Sequence, residues 1–414
     1  MTGRIAAAAG VLALLAGLIA GGRLLRATGH SPEPPHRSQS SAAPSPAGAP
    51  APSLSPSITA IPGHAAHGQP RYLVTSVQAH GMIMSAATGK VVARITRPER
   101  YFLIDGVAAA PGDKTFYLAG EVPIAAAGRM WIDFYRVPLG RDGHPGQAQR
   151  LPGERLNVPL PITSDALMQL PLAISQDGTE LAYPSDNQFY GDDYAHRHPA
   201  EVTVQNVLTG ARRTWTMWPS SDTEISSVSW GSDGRLGIVA TIGDAAVVNG
   251  RLHHRPNTDA NVFLALNTSA PGPSLAADAA VVAFSSYHVV HHGLYTPVTT
   301  GPTGGVLSPD GASAYLQIGL ERGAAELAQV AVPTGKVLRV LLTRPAQPTQ
   351  TSPQAIDGRY LLVALGPASP PRPAGSYVCG HLASLHLATG NLDELPVPVQ
   401  CNTEAPPPPL LTGW

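Results

Sequence analysis

Two short patterns recur through residues 71–414 of this 414-residue chain, and they limit its fold more than any other feature. The first is an apolar stretch, a turn and a second apolar stretch. It occurs as LAISQDGTELAY from Leu172, VSWGSDGRLGIV from Val228, VLSPDGASAY from Val306 and QAIDGRYLLV from Gln354, with a weaker copy, AAAPGDKTFYLAG, from Ala108. Gly tolerates positive φ and Asp bonds locally to the backbone, so Asp-Gly between apolar runs predicts a β-hairpin. The second pattern is an alternating strand that closes on Thr-Gly. Its copies are GMIMSAATGKVVARI from Gly81, EVTVQNVLTGARRTWTM from Glu201, ELAQVAVPTGKVLRVLL from Glu326 and HLASLHLATGNLDELPV from His381. An apolar residue, respectively Ala86, Val207, Val332 and Leu387, stands two positions before each Thr. Period-two alternation followed by a turn is again a hairpin. Where both patterns occur in order they are 32, 24 and 32 residues apart (Asp177 to Thr209, Asp310 to Thr334, Asp357 to Thr389). Two successive hairpins make a four-stranded antiparallel unit.

Such units expose apolar surface on both faces, and stacking them in a ring buries it while protecting the strand edges. The expected fold is therefore all-β, a β-propeller of four-stranded antiparallel blades. The turns near 112, 177, 233, 310 and 357 are 65, 56, 77 and 47 residues apart. A compact blade takes about 40–50 residues, so several blades carry insertions. Counting the strands of residues 71–95 as a blade gives six, or seven if residues 276–300 form one of their own. Composition agrees, with 42 Gly, 42 Pro and only 13% charged residues, a chain of many turns and few solvated helices.

Copies such as LSPDGASAY and ISQDGTELAY, each followed by a strand ending in Thr-Gly, resemble the WD40-like repeats of TolB and prolyl-oligopeptidase propellers. That resemblance covers most of residues 71–414 and implies that the Asp-Gly turn joins the inner two strands of a blade. It is specific for fold and says almost nothing about function. Gly112-Asp113 reverses the usual order, Ile356 stands where Pro is usual, and Gly231-Ser232 replaces Ser-Pro. No hydrolase nucleophile elbow accompanies the repeats, so peptidase chemistry has no home in this sequence.

The amino terminus addresses the compartment. Residues 5–22, IAAAAGVLALLAGLIAGG, carry no charge and are flanked by Arg4, Arg23 and Arg26. Their 18-residue length meets the roughly 17–25 of a spanning helix and exceeds the roughly 7–15 of a signal-peptide core. Residues 1–26 are expected to form one transmembrane anchor, with cleavage near Ala20–Gly22 and secretion as the alternative. Charge on the two flanks is nearly equal and gives no orientation by the positive-inside rule. Residues 27–70, rich in Pro, Ala and Ser, lack the apolar content to offset their ordering entropy and are expected to be a disordered linker. The propeller domain then spans 71–414, outside the cytoplasm on a single-pass cell-membrane anchor.

Cys379 and Cys401 are the only cysteines, an arrangement that suits a disulfide in an oxidising compartment, with free buried thiols as the alternative. They lie 11 residues either side of Gly390, so a symmetric hairpin there sets them opposite each other.

Residues that could carry chemistry are few. No G-x-S-x-G, H-E-x-x-H, Walker A or strand-following G-x-G-x-x-G motif is present, and no cofactor is indicated. Net charge is −1 with no basic stripe, which argues against nucleic acid. His288, His291 and His292, with His253 and His254, are the best metal-ligand candidates, but the nearby Asp259 completes no recognised ligand spacing, and exposed loop histidines are the simpler reading. Residues 185–198, SDNQFYGDDYAHRH, place Asp192, Asp193, Tyr190, Tyr194, His196 and Arg197 in one insertion as candidate ligand or partner contacts, and Asp186 and Asn187 add hard oxygens. Trp215, Trp218 and Trp230 fit blade packing better than a sugar platform. The expected function is a noncatalytic, membrane-tethered binding or scaffold module for a protein or envelope ligand. The alternative is a propeller enzyme of lactonase, quinoprotein or glycan-hydrolase type with a site in the central channel.

Overall fold

The computed structural model describes residues 71–401, apart from connections at 78–79, 99–102, 111–113, 125–128, 160–169, 187–200, 219–222, 271, 289–301, 320–324, 333, 345–348, 357–358 and 368–376. The chain divides into two units, Met1–Pro56 and Ser57–Trp414, and all the described residues belong to the second. The proposed anchor at 1–26 and linker at 27–70 lie outside the described residues. Among the described residues, no helix is long and apolar enough to cross a membrane.

Six antiparallel sheets follow one another along the chain as blades. Blade 1 holds β1 (Tyr72–Val77), β2 (His80–Ser85) and β3 (Val91–Arg94). Blade 2 holds β4 (Leu103–Ala109), β5 (Thr115–Ile124) and β6 (Arg129–Pro138), with its outer edge shared by β7 (Gln149–Arg150) and β8 (Leu156–Pro159). Blade 3 runs β9 (Ala173–Ile174), β10 (Glu180–Asp186), β11 (Glu201–Asn206), β12 (Arg212–Thr216). Blade 4 comprises β13 (Thr223–Trp230), β14 (Arg235–Ile242), β17 (Thr258–Asn267) and β18 (Ala279–His288). A two-stranded ribbon, β15 (Ala245–Val248) with β16 (Arg251–His254), is inserted between β14 and β17, and one helical turn, α1 (Leu275–Asp278), precedes β18. Blade 5 is β19 (Pro302–Leu307), β20 (Ser313–Gly319), β21 (Ala325–Ala331), β22 (Val337–Arg344), and blade 6 is β23 (Thr349–Ile356), β24 (Tyr360–Pro367), β25 (Tyr377–His386), β26 (Leu392–Cys401). The six-blade count is thus observed, and a seventh blade at 276–300 is not: β18 pairs with β17 as the last strand of blade 4.

Both sequence patterns form the hairpins they predict. In the Asp-Gly turns, Ser308 Oγ donates to Asp310 Oδ1 at 2.5 Å, the Ala312 N–H donates to the same oxygen at 3.0 Å, and the Ser313 N–H donates to Ser308 Oγ at 2.9 Å. Ser175, Asp177 and Thr179 repeat this arrangement in blade 3. The Thr-Gly turns set Gly89, Gly210, Gly335 and Gly390 at φ of 66–76°, where a Cβ is strained. At Gly210 a Cβ would also meet the Gly153 nitrogen at 2.7 Å.

The core is divided into apolar layers, each between consecutive blades. Val74, Ile104, Phe116 and Tyr135 fill the layer between blades 1 and 2, and Tyr117, Phe134, Leu170 and Tyr183 fill that between blades 2 and 3. Trp215 and Trp230 lie between blades 3 and 4, with Trp218 packed against them, so the tryptophans are core residues as expected. Trp230 Nε1 also donates to the Ala173 carbonyl at 3.1 Å, tying blade 4 to blade 3. Phe263 occupies the layer between blades 4 and 5, where Gly237 and Gly305 leave room for its ring. On blade 2, buried Asp133 accepts from Arg150 Nε at 2.8 Å and pairs with Arg155 at 3.0 Å, which clips both short outer strands to β6.

The register of the last hairpin differs from the expected one. Leu385 faces Leu392, but a slip between His381 and Ala383 and another between Val378 and Gly380 bring Cys401 opposite Tyr377. Cys379 falls within the second irregularity, so the two cysteines are not the directly opposed pair that symmetric counting from Gly390 predicts. The difference begins at the turn, since the pairs Leu385–Leu392 and Ser384–Asp393 centre the hairpin between 388 and 389 rather than on Gly390, and the irregularities then shift the register further in opposite senses. The side chains of both cysteines lie outside the described residues.

Candidate functional site

Strand polarity decides where the insertions leave the ring. In blades 3, 5 and 6 the turn between first and second strands and the turn between third and fourth strands lie at one end of the blade. The second-to-third connection and the exit to the next blade must then lie at the other end, because antiparallel neighbours alternate in direction. Most long connections are of these two kinds; the exceptions, 139–148 in blade 2 and 268–278 with α1 in blade 4, join third to fourth strands. Residues 125–128, 187–200, 243–257, 320–324 and 368–376 join second to third strands, while 160–169, 219–222 and 289–301 join blades. The connections just named therefore depart from one loop end, while 139–148 and 268–278 lie at the opposite, tight-turn end.

The insertion carrying Tyr190, Asp192, Asp193, Tyr194, His196 and Arg197 lies outside the described residues. It leaves β10 at Asp186 and returns at Glu201, which are paired in register. Polar side chains of blade 3 line its base: Ser185 Oγ and Thr203 Oγ1 are 2.6 Å apart, and Thr203 Oγ1 is 2.9 Å from Thr214 Oγ1. Ser185 Oγ also donates to Glu201 at 3.4 Å.

The two histidine segments leave the same blade at the same end. His288 ends β18 opposite Thr258, and Asp259, opposite Tyr287, accepts the Asp244 N–H at 3.3 Å at the foot of the ribbon. His291 and His292 lie outside the described residues. His253 and His254 are on the ribbon and exposed, and the His254 ring meets Trp218 edge-on with centroids 5.8 Å apart. Among the described residues, no group of three or more His, Cys, Asp or Glu is placed to hold a metal ion.

One titratable group was not singled out by sequence patterns. Glu121, opposite Ile132 near the loop end of β5, lies on the same face as Tyr117 and Ala119, toward blade 3. Its Oε1 is buried with no hydrogen-bond partner among the described residues. Burial pushes its carboxyl up to about 7. The clue available was a lone acid at the end of an apolar alternating run, TFYLAGEV, which by itself does not distinguish a buried from an exposed carboxylate.

The sheet order defines a six-bladed β-propeller with most of its longer connections on one side. No protein-family model matches the chain, and no curated protein matches it. Solved structures similar to it include a TolB protein from Agrobacterium tumefaciens, 12% identical with a TM-score of 0.44, covering 79% of this chain and 89% of that one. The periplasmic gluconolactonase of Pseudomonas aeruginosa is 16% identical, with a TM-score of 0.38 and coverage of 81% and 84%. The acylaminoacyl peptidase of Pyrococcus horikoshii is 11% identical, with a TM-score of 0.39, over 72% of this chain and 40% of that one. TolB-type propellers are thus among the structural neighbours; at these scores the likeness carries no argument about activity, and the fold rests on the chain's own sheets.

Proposed function

We propose that this protein is a binding module, held outside the cytoplasm by residues 1–26, that takes a protein or envelope ligand at the loop end of its propeller. The observation behind this reading is the departure of the insertions at 187–200, 243–257 and 289–301 from that one end. Rigid scaffolds commonly carry their recognition residues on such loops, where sequence can vary without disturbing the core. The contact residues proposed are Tyr190, Asp192, Asp193, Tyr194, His196 and Arg197, together with the histidine segments of blade 4.

Replacing 187–199, the ribbon at 245–254 and 289–300 by short Gly-Ser turns tests it. The expected result is an unchanged circular dichroism spectrum and lost capture of a partner from envelope extract. Unchanged capture by the triple replacement refutes the reading. A second reading, a propeller hydrolase, draws on Glu121, since a carboxylic acid still protonated near neutral pH can donate a proton to a leaving group. Turnover of chromogenic lactones or glycosides that is lost in folded Glu121→Gln would favour it.

A further inference from the structure

A sheet edge with unpaired backbone groups is a template for another chain, and natural sheets blunt such edges with short strands, charge, Pro or a covering segment. Most outer edges of this propeller are blunted in these ways. β3 has only four residues, and blade 2 divides its edge between β7 and β8, both clipped to Asp133. Along β12 the Thr216 N–H donates to the Pro273 carbonyl at 2.7 Å, and Arg213 donates to the Thr268 and Ala270 carbonyls, so the approach to α1 overlies that strand. On β18 the blade 5 turn lies against the Val282 carbonyl, closer than a Cβ at Gly335 would allow. β26 carries Asp393, Glu394, Pro396 and Pro398.

β22, VLRVLLTR, is the exception, with eight residues and neither Pro nor acid. Among the described residues it pairs with β21 alone. Of the seven large apolar side chains exposed among the described residues, three cluster on it: Val337 at 49%, Leu338 at 53% and Val340 at 44%. Pairing sorts its side chains by face, because directly opposed residues share one. Val337 opposes Val330 and Val340 opposes Ala328, so both valines stand on the face of Val330, toward blade 4. Arg339 opposes Gln329, and the Ala331 N–H donates to the Lys336 carbonyl at 2.9 Å, so both exposed cations stand on the other face. The unpaired Leu338 sets this separation, since it shifts Arg339 to the face of Lys336. Val337 follows the bonded Lys336 and turns its own N–H and C=O away from β21.

We propose that β22 is a docking edge for an extended segment of another protein that alternates apolar and acidic residues. Added as a further strand, such a segment would hydrogen-bond the outward groups at Val337, lay its apolar side chains beside Val337 and Val340, and set its carboxylates beside Lys336 and Arg339. Charge selects this occupant. A second copy pairing through β22 would crowd Lys336 and Arg339 of both chains onto one ribbon with no carboxylate in either strand. The edge belongs to the outer rim of blade 5 and is independent of the loop end.

Fluorescence anisotropy of the full-length protein with a labelled peptide as long as β22, alternating Val and Glu, tests this. The Val/Glu peptide should bind, and its Val/Lys counterpart should bind roughly tenfold more weakly, the difference expected of reversed cross-strand charge pairs. Hydrogen exchange at the backbone amides of 337–340 should slow when the Val/Glu peptide is present. Lys336→Glu with Arg339→Glu should reverse the preference at an unchanged melting temperature. Binding of neither peptide, equal binding of both, or a preference that survives the charge reversal overturns the proposal. A protein that sediments as a dimer until Leu338→Lys is introduced gives the edge to a second copy and overturns it too.

Discussion

If consecutive blades are locked by shape, one methyl group placed between them should be felt, and the Gly305 position gives that idea a sharp test. A Cβ on Gly305 would stand 2.6 Å from Leu316 Cδ2 and 2.9 Å from both Cδ2 and Cε2 of Phe263, a ring with no solvent exposure. The Gly305 carbonyl also accepts from Ser227 Oγ at 3.2 Å, so a backbone shift that relieves the clash strains a bond between blades 4 and 5. Overpacking of this kind costs about 1–3 kcal/mol. Unfolding entropy of about 2.1 cal/mol/K per residue, over roughly 340 residues, is about 0.7 kcal/mol/K, so Gly305→Ala should lower the melting temperature by roughly 1.5–4 °C. Phe263→Ala alone removes a buried ring and should cost about 3–5 kcal/mol. In the double variant the added methyl enters the vacated space, so the loss should fall short of the sum of the singles by about 1 kcal/mol or more. Differential scanning calorimetry of the four proteins at one scan rate measures this. Strict additivity would refute the interlocked packing of Phe263 against Gly305.

Three further outcomes are expected. Hydrogen bonds from the hydroxyls of Ser175 and Ser308, then from the backbone N–H groups of Thr179 and Ala312, hold Asp177 and Asp310 below the usual carboxylate range. Their contribution is present above the unfolded pKa and lost as pH falls through the folded one, so Asp177→Asn with Asp310→Asn should flatten the acid limb of melting temperature against pH below about 4. Glu121 behaves oppositely: its folded carboxyl keeps its proton up to about 7 while the unfolded chain ionises near 4.5, so stability falls as pH rises between them. Glu121→Gln should therefore match the wild type near pH 4 and melt higher than it near pH 8, and melting curves that stay parallel across that range would count against a carboxyl raised by burial. For topology, protease added to intact cells should cut within 27–70 and release the propeller; digestion only after lysis would place it inside.

The repeating architecture was legible from the chain because its cause is local. Asp-Gly and Thr-Gly turns form through hydrogen bonds within a few residues, as at Ser308–Ser313 and Asn206–Gly210, and alternation then assigns each strand its faces. Trp215 and Trp230 could likewise be assigned to packing from their place in alternating strands. Other features depend on contacts between distant segments. The register at Cys379 and Cys401 depends on the hairpin turning between 388 and 389 and on two irregularities beyond the turn, which turn chemistry at Thr389-Gly390 does not reveal. Glu121 titrates near neutrality because blade 3 covers its face of blade 2, and Gly305 is required because a ring from another blade fills its space. The insertions around 187–200, 245–254 and 289–301 were visible as departures from the repeat, but that they share one end follows only from strand direction in the assembled sheets. Turn chemistry acts over a few residues and is written in the sequence, whereas burial and proximity are properties of surfaces that meet only when the blades stack.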